Sequence, residues 1–582
     1  MTRPPAGTPY WDPAELPTQP QLHGVVTADV AVVGAGLAGL SCAYHLAERA
    51  PGLDIAVVDA EHPAAGASGR GTGLLGPRAG PAVDRAVRRF GPQTARSMHR
   101  ASERAVRDVL ALCARLDVPC GLRPGDQLVA TRSSAGLVAL ARQARACREL
   151  GLDVPVLTPA GIRDRVGVPY RAALLHRPAA TLDPAALTCA LARACADKGV
   201  RFYGRSPLLA LRPGDLVGPE LVLPHGRLYA GQAVLAVNSA AQALDLPVGT
   251  VLPLEVYAVA TEPLSTPAYE ALGGRAGHSV VDAVPMAPYY RLLPDRGLVA
   301  GGGTVTVPAG VGAPRLQAGR ERAWARLERW LRSLHPDLAR VRVTHRWSGR
   351  IGMTGDDLPV VGPVPGFDDV WYIGGCCGHG LALSVAHGAH VAAALLGEPE
   401  PGEPLPWHRS RAPRLPARGP VRPLLRAYVD ASGAHRAACV LTAGAARIRT
   451  PAPQPPASQP HRPSEPHEEV PPCDPTSVRT AACRRPCPWE PRMSPSTWRR
   501  AEVRCPSRSR SGSKAVPPPW TPYARGSPNA PTTSRRCATA SHGTAGNSGE
   551  WTGSRWTGMC TRRGCPRTPT VRRPAAWCCP GR

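Results

Sequence analysis

The segment from Asp29 to Asp59 limits what this 582-residue chain can fold into more than any other. An apolar run, Val30-Ala31-Val32-Val33, stops at Gly34-Ala35-Gly36-Leu37-Ala38-Gly39. A helix-length stretch follows, and a second apolar run, Ile55 to Val58, ends on Asp59. The order is strand, glycine turn, helix, strand, acid. Gly34 permits a tight turn, Gly36 lets backbone approach a pyrophosphate, and Gly39 lets helix and strand pack closely. Phosphate oxygens then rest on the free N–H groups of Leu37 and Ala38 and on the positive end of the helix dipole. Asp59, with Ala60 beside it, stands where a carboxylate accepts hydrogen bonds from ribose hydroxyls. A lone glycine triplet is often only a loop, but here strand, helix and acid agree on a dinucleotide site.

Immediately downstream, Gly66, Gly69, Gly71 and Gly73 surround Ser68, Arg70 and Thr72. Glycines this dense suggest backbone running along a flat ligand, with a plain flexible loop as the alternative. Residues 81–150 carry apolar groups at helical spacing, interrupted by an alternating segment, 121–133, that reads as a hairpin. Residues 183–204 read as a helix leading into a strand, and 221–230 as a hairpin. From 250 to 307 alternating segments predict antiparallel strands of a second sheet, and 321–334 an amphipathic helix. Late in the chain, Val370 to Ile373 predicts a strand, the glycines from Gly374 to Gly380 a turn, and Leu381 to Leu396 a helix. A second helix start thus faces a ligand. His379 stands open between catalytic base and loop-shaping residue, and Cys376-Cys377 between redox pair and packing.

The expected fold class is therefore α/β with an α+β second domain. A Rossmann-like dinucleotide-binding domain (28–80, 160–248 and 346–400) carries an inserted mixed antiparallel-sheet substrate domain (81–159 and 249–345). Residues 1–27 read as an extended arm or a leader, and 401–433 as a segment packed on the core. The net charge of +27 would suggest an anionic partner, but 434–582 alone holds 24 Lys and Arg against 7 Asp and Glu. That segment has no Leu after Leu441 and no Ile after Ile448, so it cannot bury enough apolar surface to offset chain entropy. It is expected to be a disordered tail, and its abrupt composition also suits a displaced reading frame. Neither nucleic acid nor metal is expected, although Cys483 and Cys487 with His461 and His467 have metal-like spacing. Eight scattered or adjacent cysteines before residue 401 and no long apolar run predict a cytoplasmic protein without a membrane span.

These motifs occur in the order found in FAD-dependent oxidoreductases of the D-amino-acid oxidase superfamily, and over about residues 8–430 the chain most resembles gamma-glutamylputrescine oxidase-like amine oxidases. The resemblance rests on the Tyr10-Trp11 arm, the glycine turn, Gly66-Ala-Ser-Gly-Arg70, Trp347 to Gly362 and Gly374-Gly-Cys-Cys-Gly-His-Gly380. It implies noncovalent FAD, with Gly34, Gly36, Gly39 and Asp59 on the ADP half, and Ser68, Gly69 and Arg70 along pyrophosphate and ring. Gly375, Gly378, His379 and Gly380 would present backbone to the flavin. Two departures stand out. Gly71-Thr72-Gly73 replaces the usual Asn-Gly-Gly, and Gly349 falls near the cysteine that tethers flavin in sarcosine oxidases.

The implied reaction is oxidation of a C–N bond, with hydride passing to flavin N5 and the imine hydrolysed in water. The substrate would be a small amine such as gamma-glutamylputrescine. The electron acceptor, oxygen or another, stays open, since the only lysines are Lys198 and Lys514. Tyr257, Tyr289, Tyr290 and Arg291 are the pocket candidates, with Tyr257, Tyr290, Arg291 and His379 as candidate catalytic residues. Sheet packing is the competing role for the strand residues. The arginine that holds substrate carboxylate in the superfamily's amino-acid oxidases aligns with Ile351, while Arg350 is one residue early and points to the other face of a strand. An amine is thereby favoured over a D-amino-acid or glycine-type substrate, with Arg291 as the runner-up carboxylate clamp that keeps the opposite outcome open, and a non-catalytic dinucleotide- or nucleic-acid-binding protein is the alternative from another class.

Overall fold

The computed structural model describes residues 7–11, 16, 19–214, 218–274, 276–284, 286–307, 314–399 and 404–414, with the side chains of 314–317 excepted. The expected tail, 434–582, lies outside the described residues.

In chain order the elements that position the site are β1 (Gly24–Val33), α1 (Leu37–Arg49), β2 (Ile55–Val58), α2 (Ala67–Arg70), β3 (Leu74–Leu75), α3 (Pro92–Arg115), β4 (Arg123–Thr131), β5 (Ala172–Thr181), α4 (Pro184–Asp197) and β6 (Arg201–Tyr203). They continue with β7 (Gly226–Leu235), β8 (Leu252–Thr261), β9 (Ser279–Asp282), β10 (Tyr289–Leu292), β11 (Leu298–Thr306), α5 (Pro314–Arg332), β12 (Val343–Met353), β13 (Val360–Pro363), β14 (Val370–Gly374) and α6 (Gly380–Leu395).

Two sheets result. The first runs β13-β14-β7-β1-β2-β6, parallel except for β13, with the short strands Ala210–Arg212 and Glu220–Leu223 added beside β7. Val30 to Val33 and Ile55 to Val58 are fully buried, as expected of strands covered on both faces. On one face α1, α3, α4 and α6 share a core with Leu40, Leu46, Val57, Leu187 and Leu383. Helices α1 and α6 cross so closely that a Cβ on Gly388 would lie 2.6 Å from the carbonyl oxygen of Ala38.

The second sheet runs β12-β8-β11-β10-β9-β4-β5-β3 and is antiparallel apart from the β9–β4 pair. Three expectations change. The 121–133 segment is not a hairpin but the single strand β4, held between β5 and β9. β5 and β12 belong to the second sheet, so 172–181 and 346–353 leave the nucleotide domain assigned to them. Helix α3 lies in the nucleotide-domain core rather than in the substrate domain. In each case sheet or core membership depends on partners far along the chain, which local periodicity does not contain. The hairpin at 221–230 and the helix-to-strand unit at 184–203 are as expected.

The N-terminal arm lies against this body. Gly7 N–H donates to the Arg346 carbonyl at 2.8 Å, and Trp11 Nε1 donates to the Gly71 carbonyl at 2.6 Å. At the other end, Trp407 is buried and Arg409 pairs with Asp356. Among the described residues no helix is long and apolar enough to cross a membrane.

Candidate active site

The first glycine turn is built as its sequence requires. Gly34 has φ +104°, and a Cβ there would lie 2.7 Å from the Ala236 carbonyl oxygen. Gly36 is the N-cap of α1 and supplies no capping side chain, leaving helix-start N–H groups for other acceptors. A Cβ on Gly39 would collide with the Gly34 carbonyl, so only glycine lets α1 sit this close to β1. Ser68 Oγ accepts from Leu37 N–H at 3.0 Å and is 3.0 Å from where a Cβ on Gly36 would project. A protein oxygen thus already occupies an acceptor position against this helix start. Leu37 is buried, Ala38 half-buried and Ala60 exposed at the strand end.

Asp59 braces the same turn. One carboxylate oxygen accepts from Ala35 N–H at 2.7 Å and the other from Glu61 N–H at 2.8 Å. Burial pushes its carboxyl above the usual range, against the pull of these two bonds. Each oxygen retains a second lone pair, so a ribose hydroxyl remains a compatible donor. Arg70 is committed to backbone: Nε donates to Ala65 O at 2.9 Å, and one terminal nitrogen reaches Gly7 O and Ser348 O at 3.2 and 3.3 Å. It fastens arm, α2 and β12 together. Gly69 is buried, where a Cβ would meet the Ala64 side chain at 2.7 Å.

The second turn leaves β14 through Gly375, Cys377 and Gly378, with φ of +67°, +52° and +86°, and enters α6 with His379 as N-cap and Gly380 as first residue. Burial, then the charge of Arg78, lowers the His379 pKa to about 3. An imidazole this reluctant to take a proton is neutral, and a weak base, near neutrality. The Cys377 thiol is pushed up to about 12 by burial, with its Sγ 3.1 Å from Gly375 O, and Cys376 is raised by the same cause. Both are free, protonated thiols that pack the turn.

The second sheet has two unlike faces. Tyr257 and Tyr290 lie on the face covered by α5, in a core with Trp324, Leu327 and Leu331. Tyr257 meets Trp324 edge-on at 5.8 Å and shares a 2.6 Å hydrogen bond with Thr306; Tyr290 lies 6.3 Å from Trp330. The expectation that these two tyrosines line the substrate pocket is therefore corrected. Strand alternation turns them away from the nucleotide domain.

Arg291, one residue on, points the other way. Its Nε donates to Thr72 O and a terminal nitrogen to Leu182 O, both at 2.7 Å, and the guanidinium lies 5.1 Å over the Trp11 ring. Burial lowers its pKa to about 10, which leaves it charged near neutrality. On β12 the same face carries Trp347, whose Nε1 donates to Arg70 O at 2.9 Å. A Cβ on Gly349 would lie 3.4 Å from Arg70, and one on Gly378 3.7 Å from Ile351 Cδ1. Ile351 thus faces the second glycine turn. Arg350 sits opposite Glu255 in register, on the α5 side, and is exposed. No bulge interrupts this part of the β8–β12 ladder.

Two residues escaped the sequence reading. Asn238 accepts from Gly375 N–H through its side-chain oxygen at 3.0 Å. An asparagine at a strand end, able to take positive φ, was the available signal. Arg78 is deep enough to depress both His379 and His176, keeps accessible surface, and makes no hydrogen bond or ion pair among the described residues. Nothing local marks it among so many arginines. No metal-ligating cluster occurs among the described residues.

Two glycine turns close on helix starts, with a serine hydroxyl and an aspartate at the first, the arrangement of a dinucleotide site. The pattern of the DAO family, FAD dependent oxidoreductase, matches residues 29–394, and the chain belongs to that family. It is 28% identical over 397 residues to gamma-glutamylputrescine oxidoreductase of Escherichia coli (strain K12), covering 65% of this chain and 86% of that protein. It is 25% identical over 394 residues to the probable oxidoreductase OrdL of Haemophilus influenzae, covering 66% and 86%. Among solved structures, glycine oxidase from Geobacillus kaustophilus superposes with a TM-score of 0.52 at 21% identity, over 66% of this chain and 99% of that one. At that identity the likeness concerns the fold. The enzyme is accordingly an FAD-dependent oxidoreductase, and the start of α1, which has no capping side chain of its own and stands beside the Asp59 carboxylate, fits that cofactor.

Proposed function

We propose that this enzyme oxidises the C–N bond of an amine whose recognition groups lie away from the reacting carbon. Gly36, Ser68 and Asp59 would hold the ADP half of noncovalent FAD, and Gly375, Gly378 and Gly380 would give backbone to the ring half. When bound, FAD supplies the two-electron acceptor, and the chain contributes orientation and exclusion of water. The observation that carries the proposal is the disposition of two arginines. Arg350 stands on the outer face, and Arg291 already spends two nitrogens on Thr72 and Leu182. A substrate α-carboxylate over Ile351 would lose water without gaining a charged partner, a penalty of about 1–3 kcal/mol or more. The relative named for gamma-glutamylputrescine is in keeping with this choice.

Arg78 favours a second reading. A half-buried cation that makes no hydrogen bond among the described residues, with Asp357 as its neighbouring negative charge, would receive the carboxylate of an amino-acid substrate. Anaerobic flavin reduction by a panel of amines and amino acids separates the two. Polyamine conjugates should bleach the visible bands fastest, and a D-amino acid or glycine reducing the flavin much faster than every amine rejects the first reading. Gly36→Val should yield colourless protein, while acid precipitation of the wild type should release all flavin; colour retained in the pellet contradicts the noncovalent assignment.

A further inference from the structure

One tripeptide stands between the two glycine turns. Strand β7 ends at Leu235, and Ala236-Val237-Asn238 follows. Ala236 N–H donates to Val33 O at 2.8 Å, its carbonyl lies against Gly34, and its side chain is 3.2 Å from where a Cβ on Gly39 would stand. Two residues later Asn238 takes φ +47° and opens a short 3-10 turn, Asn238–Gln242. Its side-chain oxygen accepts from Gly375 N–H at 3.0 Å, and its carbonyl accepts from Tyr372 Oη at 2.5 Å.

The neighbours make room for this side chain. A Cβ on Gly352 would be 3.1 Å from Asn238 Cγ, and one on Gly374 3.0 Å from its Cα. Gly375 N–H belongs to a residue with φ +67° that has just left β14, so the strand ladder has no partner for it. The asparagine supplies one. Left unmade, such a bond frees a turn in which Gly375, Cys377 and Gly378 all hold positive φ.

We infer that Asn238 is a positioning residue that fixes the Gly375–Gly380 turn relative to the Gly34–Gly39 turn, and so sets how the ring half of the cofactor is held once its ADP half is docked. This rests on the FAD reading of both turns. The position needs two properties: a residue at ease with positive φ, and an acceptor aimed at Gly375. Glycine keeps the first and loses the second, whereas aspartate keeps both.

The test is titration of the full-length chain, stripped of flavin, with FAD and separately with ADP, for wild type, Asn238→Gly and Asn238→Asp. Asn238→Gly should bind ADP within about twofold of wild type and FAD about tenfold more weakly, as expected for one lost acceptor. The residual flavin should show a shifted visible band, because its ring environment has loosened. Asn238→Asp should retain FAD affinity within about threefold. Wild-type FAD affinity in Asn238→Gly, or equal weakening toward ADP and FAD, overturns the inference. Wild-type chain that binds ADP but no FAD instead overturns the cofactor reading beneath it.

Discussion

The two faces of the second sheet share strands, composition and register, yet they do different work. On the outer face, α5 meets an apolar centre of Tyr257, Val259 and Tyr290, rimmed by ion pairs: Glu255 with Arg320 at 2.6 Å, and Glu328 with Arg346. On the inner face, Trp347, Gly349, Ile351 and Arg291 meet backbone of the α2 loop and the second glycine turn. The outer face is side chain against side chain, tolerant of small changes. The inner face is side chain against carbonyl and glycine, where Arg291, Trp347 and Arg70 hold backbone oxygens in place. Aromatic residues near a flavin fold are therefore not pocket residues by identity alone; the parity of their position decides.

A glycine on each side gives the largest contrast. Gly73 has φ +75°, and a Cβ there would strike the Leu182 carbonyl and stand 2.6 Å from the Arg291 guanidinium. Gly73→Ala should cost about 3 kcal/mol or more, through backbone strain and displacement of Arg291 together, and should lower flavin content. Gly319, on α5, has no atom within 4 Å of an added Cβ, so Gly319→Ala should stabilise by about 0.5–1 kcal/mol. Chemical denaturation of both variants checks the pair. Equal effects would dissolve the distinction between the faces.

Acid should act through buried imidazoles away from α5. His176, on β5 and 6.1 Å from His99, has its pKa lowered to about 3 by burial first and by neighbouring cationic groups second. The folded state thus refuses a proton that an unfolded histidine takes near pH 6.5. Stability is full above about 6.5 and falls as pH drops below it, levelling only near 3. At pH 5 this one residue amounts to about 2 kcal/mol. A thermal midpoint that does not fall between pH 7 and 5, or that falls equally in His176→Asn, would remove His176 as the cause.

The first sheet and both glycine turns were legible in the sequence because their glycine and apolar patterns are local. Gly34 and Gly39 answer to contacts within one strand-turn-helix unit or its adjoining strand, whereas Gly36 meets Ser68 on α2 and Gly375 and Gly378 meet Thr354 and Ile351. The membership of β5 and β12 in the second sheet was not legible, since it depends on pairing partners brought together only by the finished fold. Arg350 against Ile351 was readable from alternation alone, given an unbroken ladder. Tyr257 and Tyr290 obeyed the same rule, but sequence could not say which face met the nucleotide domain. Asn238 and Arg78 matter through neighbours about a hundred or more residues away.

The inner face should also accept a gain of function. Ile351→Arg places a guanidinium on the inner face beside the Gly378 turn, where a charge-assisted bidentate pair can form with a substrate carboxylate. Selectivity, measured as the ratio of kcat/KM for a D-amino acid to that for the best amine, should rise about tenfold or more. An unchanged ratio would mean that Ile351 does not border the substrate. On the outer face, Tyr257→Phe removes the bond to Thr306 and should lower stability by about 1 kcal/mol while leaving flavin content and anaerobic reduction rate unchanged.

Arg350 carries the smallest expected effect and the clearest test of parity. It lies across from Glu255 on the side of β12 that looks toward α5, and Glu255 is already paired with Arg320 and accepts from Ser348 Oγ at 2.7 Å. An exposed arginine beside a satisfied carboxylate contributes little, since surface pairs are worth between zero and about 1 kcal/mol. Arg350→Ala should change stability by less than about 0.5 kcal/mol and leave the amine-to-amino-acid selectivity ratio within twofold of wild type. Arg350 is one covalent step from Ile351, so any disturbance spreading along the backbone would be felt by both; only direct contact with substrate distinguishes them. A selectivity loss in Arg350→Ala comparable to the gain in Ile351→Arg would show that β12 presents its other face to the substrate in the working enzyme, and with it the division between the two faces of this sheet would fail.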